Sequence, residues 1–194
     1  MRRQLFPALM MTIALTVLTG LMYPLVVTGV AQGLFKARAN GSLVKVDGKV
    51  VGSSLLGQRF THDKYFQPRP SAAGTGYDGL ASSASNLGPS NPDLLKTIHD
   101  RAVAYRRRNG MSAKAEVPVD AVTASASGLD PDISIANARI QAVRVARVRS
   151  LPVAAVLAAI GRHTHNRQWG FLGERAVNVL ELNLDLDRLS STAK

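Results

Sequence analysis

Cysteine is absent from this chain of 194 residues, and acidic and aromatic side chains are few. Without cysteine there can be no disulfide framework and no thiolate chemistry. The sequence therefore does not indicate whether the protein's compartment is oxidising or reducing. The 13 acidic residues face 24 Lys and Arg, so the net charge is +11 at pH 7. Aromatic residues make up only 5% of the chain, and no nucleic-acid recognition motif is present. We therefore do not expect nucleic acid as a partner.

Charged residues are also missing from the N-terminal stretch between Arg3 and Lys36. The uncharged run exceeds the roughly 20 apolar residues that cross a bilayer, and it must be helical because hydrocarbon offers no partner for peptide groups. Pro7 lies in the first turn, whereas Pro24 is interior and predicts a kink. A cleaved signal peptide is the alternative, but its apolar core would be about 7–15 residues long. The length favours a transmembrane helix.

Small residues recur along this helix and predict a surface on which another helix packs. They are Ala8, Thr12, Thr16, Gly20, Gly29 and Gly33. Such residues let helix backbones approach closely inside a membrane, where packing drives association. The alternative is that membrane helices are simply rich in small residues.

The predicted organisation is an N-terminal tail with a transmembrane helix over residues 1–35, followed by a soluble domain over residues 36–194. Arg2, Arg3 and the α-amino group favour a cytoplasmic N-terminus. Four cations beyond the helix oppose this orientation: Lys36, Arg38, Lys45 and Lys49. Because long domains cross membranes largely regardless of charge, the residues alone favour a cytoplasmic N-terminus only weakly.

The soluble segment is itself basic. Once Arg2 and Arg3 are set aside, 22 Lys and Arg face 13 acidic residues, a balance of +9. This charge is suited to an acidic partner or to anionic lipid headgroups. A membrane-surface module that binds anionic lipid is therefore one alternative function, and membrane lipid is an expected partner.

A β-hairpin and a long loop are predicted at the start of the soluble segment. Residues 43–51 alternate around Asp47-Gly48, a dipeptide that supplies the positive φ angles of a two-residue type I′ turn. Residues 67–92 are rich in Gly, Pro, Ser and Asn and form a loop, and a loop of this length is usually functional or disordered. Its low complexity makes a disordered segment the alternative, and we favour an ordered one. We expect Arg69 and Tyr77 to fix this loop.

Three helices and a C-terminal strand complete the expected domain. Asn86 and Asn91 are expected to hold turn and cap geometry, with Asn91 and Pro92 starting the first helix, which ends at Gly110. Its expected apolar face comprises Leu94, Leu95, Ile98, Ala102 and Tyr105. Asp130 is expected to cap the second helix.

The remaining elements are predicted from periodicity. The third helix is expected from about Ser150 to Gly161 and should be buried. The tail VNVLELNLDLD alternates apolar and polar residues, which favours a strand, with a bulge or change of element where the phase slips at Val179-Leu180. The predicted fold class is an α+β soluble domain anchored by one N-terminal transmembrane helix.

The motifs of self-sufficient enzymes are missing. There is no phosphate-binding P-loop, no GxGxxG, and no GxSxG with serine at its centre. His163 and His165 could offer two metal ligands, but no third ligand lies at a usual spacing. We therefore expect no catalytic residues, no metal and no tightly bound cofactor. An envelope-anchored enzyme or metal-binding domain built on these histidines is the second alternative.

Three segments resemble one family. They are Tyr65-Phe66 with Arg69 to Ala72, Tyr77-Asp78 and SASNLGPSNP (83–92); VTASASGLDPDISIANARIQAVRVARVR (122–149); and VNVLELNLDLD (177–187). Together with the N-terminal helix, they are similar in sequence and order to the C subunits of the bacterial Kdp-type potassium-transporting ATPase. The resemblance covers essentially the whole chain.

The resemblance implies an accessory subunit, not an enzyme, in a complex that imports potassium with ATP. Its partners would be a P-type ATPase subunit and a channel-like potassium-binding subunit, and it would act as a catalytic chaperone that raises the ATPase subunit's affinity for ATP. It also implies a single-pass protein of the bacterial inner membrane, with its domain on the outer, periplasmic face. Because ATP is absent there, we expect an indirect effect, with ATP bound through the partner. Direct contact is the alternative, through Arg139, Gln141 and Arg144.

Overall fold

The computed structural model describes residues 2–192 and has an α+β fold with one N-terminal membrane-spanning helix, as predicted. The chain divides into two compact units, one ending at Ser53 and the other starting at Ser54. The boundary predicted between residues 35 and 36 lies inside the first unit, directly after the membrane helix, and it stays a prediction.

The first unit begins with the apolar helix. Within residues 2–192, one helix is long and apolar enough to cross a membrane, Arg3–Leu34, with 32 residues. It consists of α1 (Arg2–Val17), a π-helical stretch (Leu18–Met22) and α2 (Tyr23–Leu34), and a short α3 (Lys36–Ala39) comes next. The π-helical stretch ends two residues before Pro24, which has no N–H for the regular ladder. The backbone is therefore disturbed where the sequence predicts a kink.

A β-hairpin completes the first unit and confirms the sequence prediction. Strands β1 (Leu43–Val46) and β2 (Lys49–Ser53) are antiparallel. Asp47 and Gly48 have φ angles of 50° and 77°, as a type I′ turn requires.

The second unit packs helices around a small antiparallel sheet. Its sheet has the strand order β3-β5-β4, with β3 at Asp132–Ser134, β4 at Thr164–His165 and β5 at Ala176–Asn178. Its helices are α4 (Pro92–Asn109), the short α5 (Val119–Val122), α6 (Ile135–Arg149), α7 (Val153–Arg162) and α8 (Val179–Thr192). Four helices of 10 or more residues are therefore present within residues 54–192, where the sequence predicted three.

The core lies where α6, α7, α8 and β5 meet. Its fully buried side chains include Phe66, Ile133, Val156, Leu182 and Leu186. Phe66 comes from the segment 54–91, all of which the structure describes and which contains no helix or strand. The loop is therefore longer than the predicted residues 67–92, and from here on the long loop means residues 54–91. Through Phe66 it contributes directly to the core.

Helix α4 starts and ends as predicted. The side chain of Asn91 accepts hydrogen bonds from the N–H groups of Asp93 and Leu94, and Gly110 ends the helix in the left-handed conformation with φ 66°. The predicted apolar face is only partly correct, because Leu95 is 54% exposed.

The prediction that Asp130 caps the second helix is wrong. Residues 132–134 form β3, and α6 begins at Ile135. The cap is Ser134, whose Oγ accepts from the N–H of Asn137 at 3.1 Å. Pairing of β3 with β5 uses the backbone that a longer helix would have needed.

The predicted C-terminal strand is also wrong beyond residue 178. The change of element anticipated at Val179-Leu180 occurs there, and α8 begins at Val179. Val179, Leu182 and Leu186 are buried at helical spacing, which outweighs the two-residue alternation. Asn178 Oδ1 accepts from the N–H of Glu181 at 3.1 Å, as a helix cap does.

We expect Ser134→Ala to lower the free energy of unfolding by about 1–2 kcal/mol, because α6 loses its cap. The hydroxyl also donates to Asp120 Oδ1 at 2.9 Å. Urea unfolding of the detergent-solubilised chain, followed by far-UV circular dichroism, measures the change. Ser112→Ala, at an exposed position, is the matched control and should stay within about 0.5 kcal/mol of the parent. Equal losses in both variants would contradict the assignment.

Candidate functional site

The backbone of Phe66 is held by a side-chain amide from α8. Phe66 is 0% exposed, so its peptide groups enter the core with the ring. Asn183 Oδ1 accepts from the Phe66 N–H at 2.8 Å, and Asn183 Nδ2 donates to the Phe66 carbonyl at 3.0 Å. One amide thereby satisfies both backbone groups of a buried residue, which would be costly to leave unpaired.

Gln141, on α6, holds the next residue in the same way. Its Oε1 accepts from the Gln67 N–H at 2.8 Å, and its Nε2 donates to the Gln67 carbonyl at 3.0 Å. Asn183 and Gln141 therefore pair with two consecutive residues much as a neighbouring strand would. We call these two side chains with residues 66 and 67 the amide clamp.

Arg144 extends the amide clamp along α6. It is 2% exposed and donates to the carbonyls of Asp63 and Tyr65, to Asn109 Oδ1 and to Gln141 Oε1. Burial is the main cause that lowers the pKa of Arg144 to about 10, so the guanidinium still carries its charge at neutral pH. Its positive charge thus faces two carbonyl groups of the long loop and two side-chain amide oxygens.

A second series of side-chain hydrogen bonds links the amide clamp to α4 and α5. Gln141 Nε2 and the Tyr105 hydroxyl both donate to Asn137 Oδ1 at 2.8 Å. Asn137 Nδ2 in turn donates to Asp120 Oδ2 at 2.9 Å. Burial, and secondarily the charge of Asp120, raise the pKa of Tyr105, so its hydroxyl remains a donor at neutral pH. The network fixes four elements against the loop.

Two of the loop residues chosen from the sequence lie together. Arg69 donates to Asp130 Oδ2 at 2.8 Å, and the Tyr77 hydroxyl donates to the Arg69 carbonyl at 2.6 Å. Asp130 therefore bonds to the loop and not to the end of α6. Burial raises the pKa of Tyr77. Asn86 has a φ of 53°, a left-handed turn conformation that Asn tolerates.

Gly128 allows the loop to lie directly on the chain before β3. Its φ is 67°, and an added Cβ would lie 2.6 Å from the backbone N of Ala73. Its carbonyl accepts from Ser71 Oγ at 2.6 Å. A side chain at this position would push the loop away.

The three predicted nucleotide-binding residues are not brought together. Gln141 and Arg144 contact each other inside the polar network. Arg139 is exposed and lines a different cavity, with Val143, Leu157 and Arg175. Gln141 lines a cavity of about 190 Å³ with Arg101, Tyr105, Arg108 and Asn137 among its other residues. Nucleotide binding by these residues stays a prediction.

The two histidines considered for metal binding have different surroundings. His163 Nε2 is 3.1 Å from Asp185 Oδ2, and its Nδ1 is 3.7 Å from Glu181 Oε2. His165 is exposed. Within residues 2–192, no group of three or more potential ligands from His, Cys, Asp and Glu could hold a metal ion.

The small residues of the N-terminal helix are exposed along its surface. An added Cβ at Gly29 or Gly33 would meet no atom within 4 Å, and at Gly20 it would reach Thr16 Cγ2 at 3.9 Å. Thr12 Oγ1 donates back to the Ala8 carbonyl at 2.9 Å, so its polar group is satisfied within the helix. This surface has room for another helix, and its packing stays a prediction.

The sequence did not predict that three further side chains hydrogen-bond to the backbone of the long loop, namely Asn183, Asn178 and Arg149. Asn178 Nδ2 donates to the Ser54 carbonyl at 2.9 Å, and Arg149 Nε donates to the Lys64 carbonyl at 2.7 Å. One pattern could have identified Asn183. It lies among the apolar residues of a helical repeat, where a polar amide requires a buried partner.

We expect Asn183→Leu to lower the free energy of unfolding by about 2–5 kcal/mol, because two buried peptide groups lose their partners. Hydrogen exchange at the Phe66 amide should accelerate in parallel. Urea unfolding and mass-spectrometric exchange measure both effects. Asn166→Leu, at an exposed position, is the matched control and should change neither. A stable Asn183→Leu variant with slow exchange would show that the amide clamp is dispensable.

Comparison with known proteins places this sequence in a family. Residues 5–188 match the family described as "KdpC: K+-transporting ATPase, c chain". Proteins named "Potassium-transporting ATPase KdpC subunit" are similar over almost their full length. The one from Mycobacterium tuberculosis (strain H37Rv) is 58% identical over 189 residues, which is 97% of this chain and 100% of that protein.

Two relatives from other bacteria carry the same name. The protein of Gemmatimonas aurantiaca is 53% identical over 194 residues, 100% of this chain and 96% of that protein. The protein of Koribacter versatilis is 48% identical over 188 residues, 96% of this chain and 95% of that protein. The family match and these identities extend over nearly all of the sequence, and the chain belongs to the KdpC family of potassium-transporting ATPase subunits.

Proposed function

We propose that this protein is a non-catalytic accessory subunit of an ATP-driven, high-affinity potassium uptake complex. Its relatives are named as subunits of a potassium-transporting ATPase, and the sequence lacks the motifs of a self-sufficient enzyme. The expected partners are the P-type ATPase subunit and the channel-like potassium-binding subunit of that complex.

The observation that carries the proposal is the long loop held in one shape. Residues 63–69 are held by the amide clamp, Arg144 and the Arg69–Asp130 pair, and further along the loop Ser82 and Ser83 both donate to the Ser127 carbonyl. A loop of this length is usually either functional or disordered, and this one is hydrogen-bonded to α6 and α8. A rigid loop can dock on a partner without a large ordering cost.

The loop also exposes apolar side chains. All four of its leucines are exposed, namely Leu55 (58%), Leu56 (42%), Leu80 (101%) and Leu87 (41%). Leu80 is presented by a turn in which Asp78 Oδ1 accepts from the Leu80 N–H at 2.9 Å. Burying such a side chain in a partner would contribute about 1.5–3 kcal/mol. The loop is therefore the surface on which we place subunit docking.

The proposed effect on ATP affinity is indirect. Gln141 accepts two hydrogen bonds and donates two within the chain, which uses the full capacity of its amide. A nucleotide could hydrogen-bond to it only by displacing the loop backbone or the side chain of Asn137 or Arg144. A subunit that binds one conformation of its partner more tightly raises that conformation's population, and with it the ATP affinity, without touching ATP.

The same mechanism fits the proposed placement. The protein would cross the inner membrane once, with its N-terminus in the cytoplasm and its domain on the periplasmic side. ATP is absent from that side, so the ATPase subunit would bind nucleotide and this chain would act through subunit contacts.

We expect Leu80→Asp to reduce recovery of the assembled complex several-fold, because a charge would have to be buried at the docking surface. The measurement is co-purification of the ATPase and channel-like subunits with the tagged chain. Leu95→Asp, on α4 and 54% exposed, is the matched control and should leave recovery unchanged. Normal assembly with Leu80→Asp would refute docking through this part of the loop.

Membrane topology is tested with Ser191→Cys, at an exposed position near the end of α8 in a chain without other cysteines. We expect a membrane-impermeant maleimide to label this variant on intact spheroplasts. A cysteine inserted between Met1 and Arg2 should react only after lysis. The opposite pattern would place the domain in the cytoplasm and make direct nucleotide contact the leading mechanism.

A further inference from the structure

Strands β4 and β5 are joined by an exposed hairpin that the potassium-transport function does not account for. All residues from His165 to Arg175 are exposed. The turn is closed by two backbone hydrogen bonds of 2.9 Å each between Gln168 and Leu172. We call residues 168–172 the hairpin tip.

The hairpin tip presents its largest apolar side chains to solvent. Trp169 is 85% exposed, Phe171 67% and Leu172 44%. Trp169 is also the single tryptophan of the chain, and its φ of 51° lies in the left-handed region. A bulky residue there is a genuine outlier, and such strain clusters at functional sites. The exposed rings are thus unfavourable in water unless the tip is covered, and the strained backbone marks the same turn as a candidate functional site.

The charges around the tip are predominantly positive. Residues 162–175 contain three arginines and one glutamate. Arg167 pairs with Glu174 at 3.1 Å, and Arg162 pairs with Asp185 at 2.8 Å. Arg175 makes no ion pair or side-chain hydrogen bond with the described residues, and it is exposed. An occupant with negative charge beside an apolar layer would match this arrangement.

We propose that the hairpin tip inserts into the headgroup region of an anionic phospholipid bilayer. Tryptophan prefers this region because its ring is apolar and its N–H is polar. Arginines next to it would lie at the level of the lipid phosphates, where each basic residue near an anionic surface contributes about 1 kcal/mol.

The bilayer is favoured over a protein partner by the size of the patch. A specific protein interface buries at least about 1,000 Å² with both partners counted, and three apolar side chains on one turn fall short of that. A membrane contact needs no such area here, because the chain's own span, Arg3–Leu34, already holds it at a bilayer. A second, weak attachment then acts at high effective concentration.

Fluorescence of Trp169 tests the proposal without altering the tip. The full-length chain is placed alone in nanodiscs of phosphatidylglycerol and phosphatidylcholine, or of phosphatidylcholine only. With the anionic lipid, we expect blue-shifted emission that brominated acyl chains quench and aqueous quenchers do not reach. High salt and the zwitterionic lipid should reverse the shift.

A reporter elsewhere on the same unit controls for mere proximity to lipid. Leu95→Trp in a Trp169→Phe background places the only tryptophan on α4, and its emission should stay solvent-like in both nanodiscs. Solvent-like emission of Trp169 in anionic nanodiscs would overturn the proposal. So would a blue shift that occurs only in the assembled complex without quenching by brominated lipid, since the tip would then dock on a partner subunit. Because the partners are absent from the first measurement, its failure leaves the transport function untouched.

Discussion

The amide clamp on Phe66 and Gln67 is the interaction on which the soluble domain depends. A loop that inserts an aromatic ring into the core must also bury the peptide groups on either side of it. Here no neighbouring strand supplies the partners, so Asn183 and Gln141 supply both a donor and an acceptor to each residue. Only an amide side chain offers both at this geometry. The clamp thereby joins α6, α8 and the long loop into one unit.

Local sequence patterns predicted the elements whose ends are determined locally. Three features are determined by residues close together in the sequence, and the structure has all three. They are the helix of the uncharged N-terminal run, the Asp47-Gly48 turn and the helix start at Asn91-Pro92. The start of α6 was misplaced because Asp130-Pro131 resembles a helix start, whereas pairing of β3 with β5 depends on residues more than forty positions away. The tail fitted both periods, and helical packing of Leu182 and Leu186 decided it.

The candidate site was less predictable than the fold for the same physical reason. Asn183 and Phe66 are separated by 117 residues, and no spacing rule connects them. Gln141 and Arg144 drew attention as polar residues in a distinctive segment, but the structure gives both a full set of partners inside the chain. Polar residues on an otherwise apolar helix therefore bind either a ligand or buried backbone groups of the same chain, and the sequence alone does not distinguish the two.

The exposed apolar residues of the second unit differ in chemistry between the long loop and the hairpin tip, and this difference argues for two kinds of occupant. The loop exposes aliphatic leucines on a segment that the clamp anchors in the core, which suits a shaped protein surface where close packing gives specificity. The tip exposes Trp169 and Phe171 beside arginines on a single turn. This suits the surface of a lipid bilayer, where an apolar layer adjoins a charged one and no fixed shape is required. If each surface meets its own occupant, the domain is held at the membrane and against its partners by independent contacts. A rigid domain held at several points transmits a shift at one contact to the others, which is the property that the proposed accessory role requires.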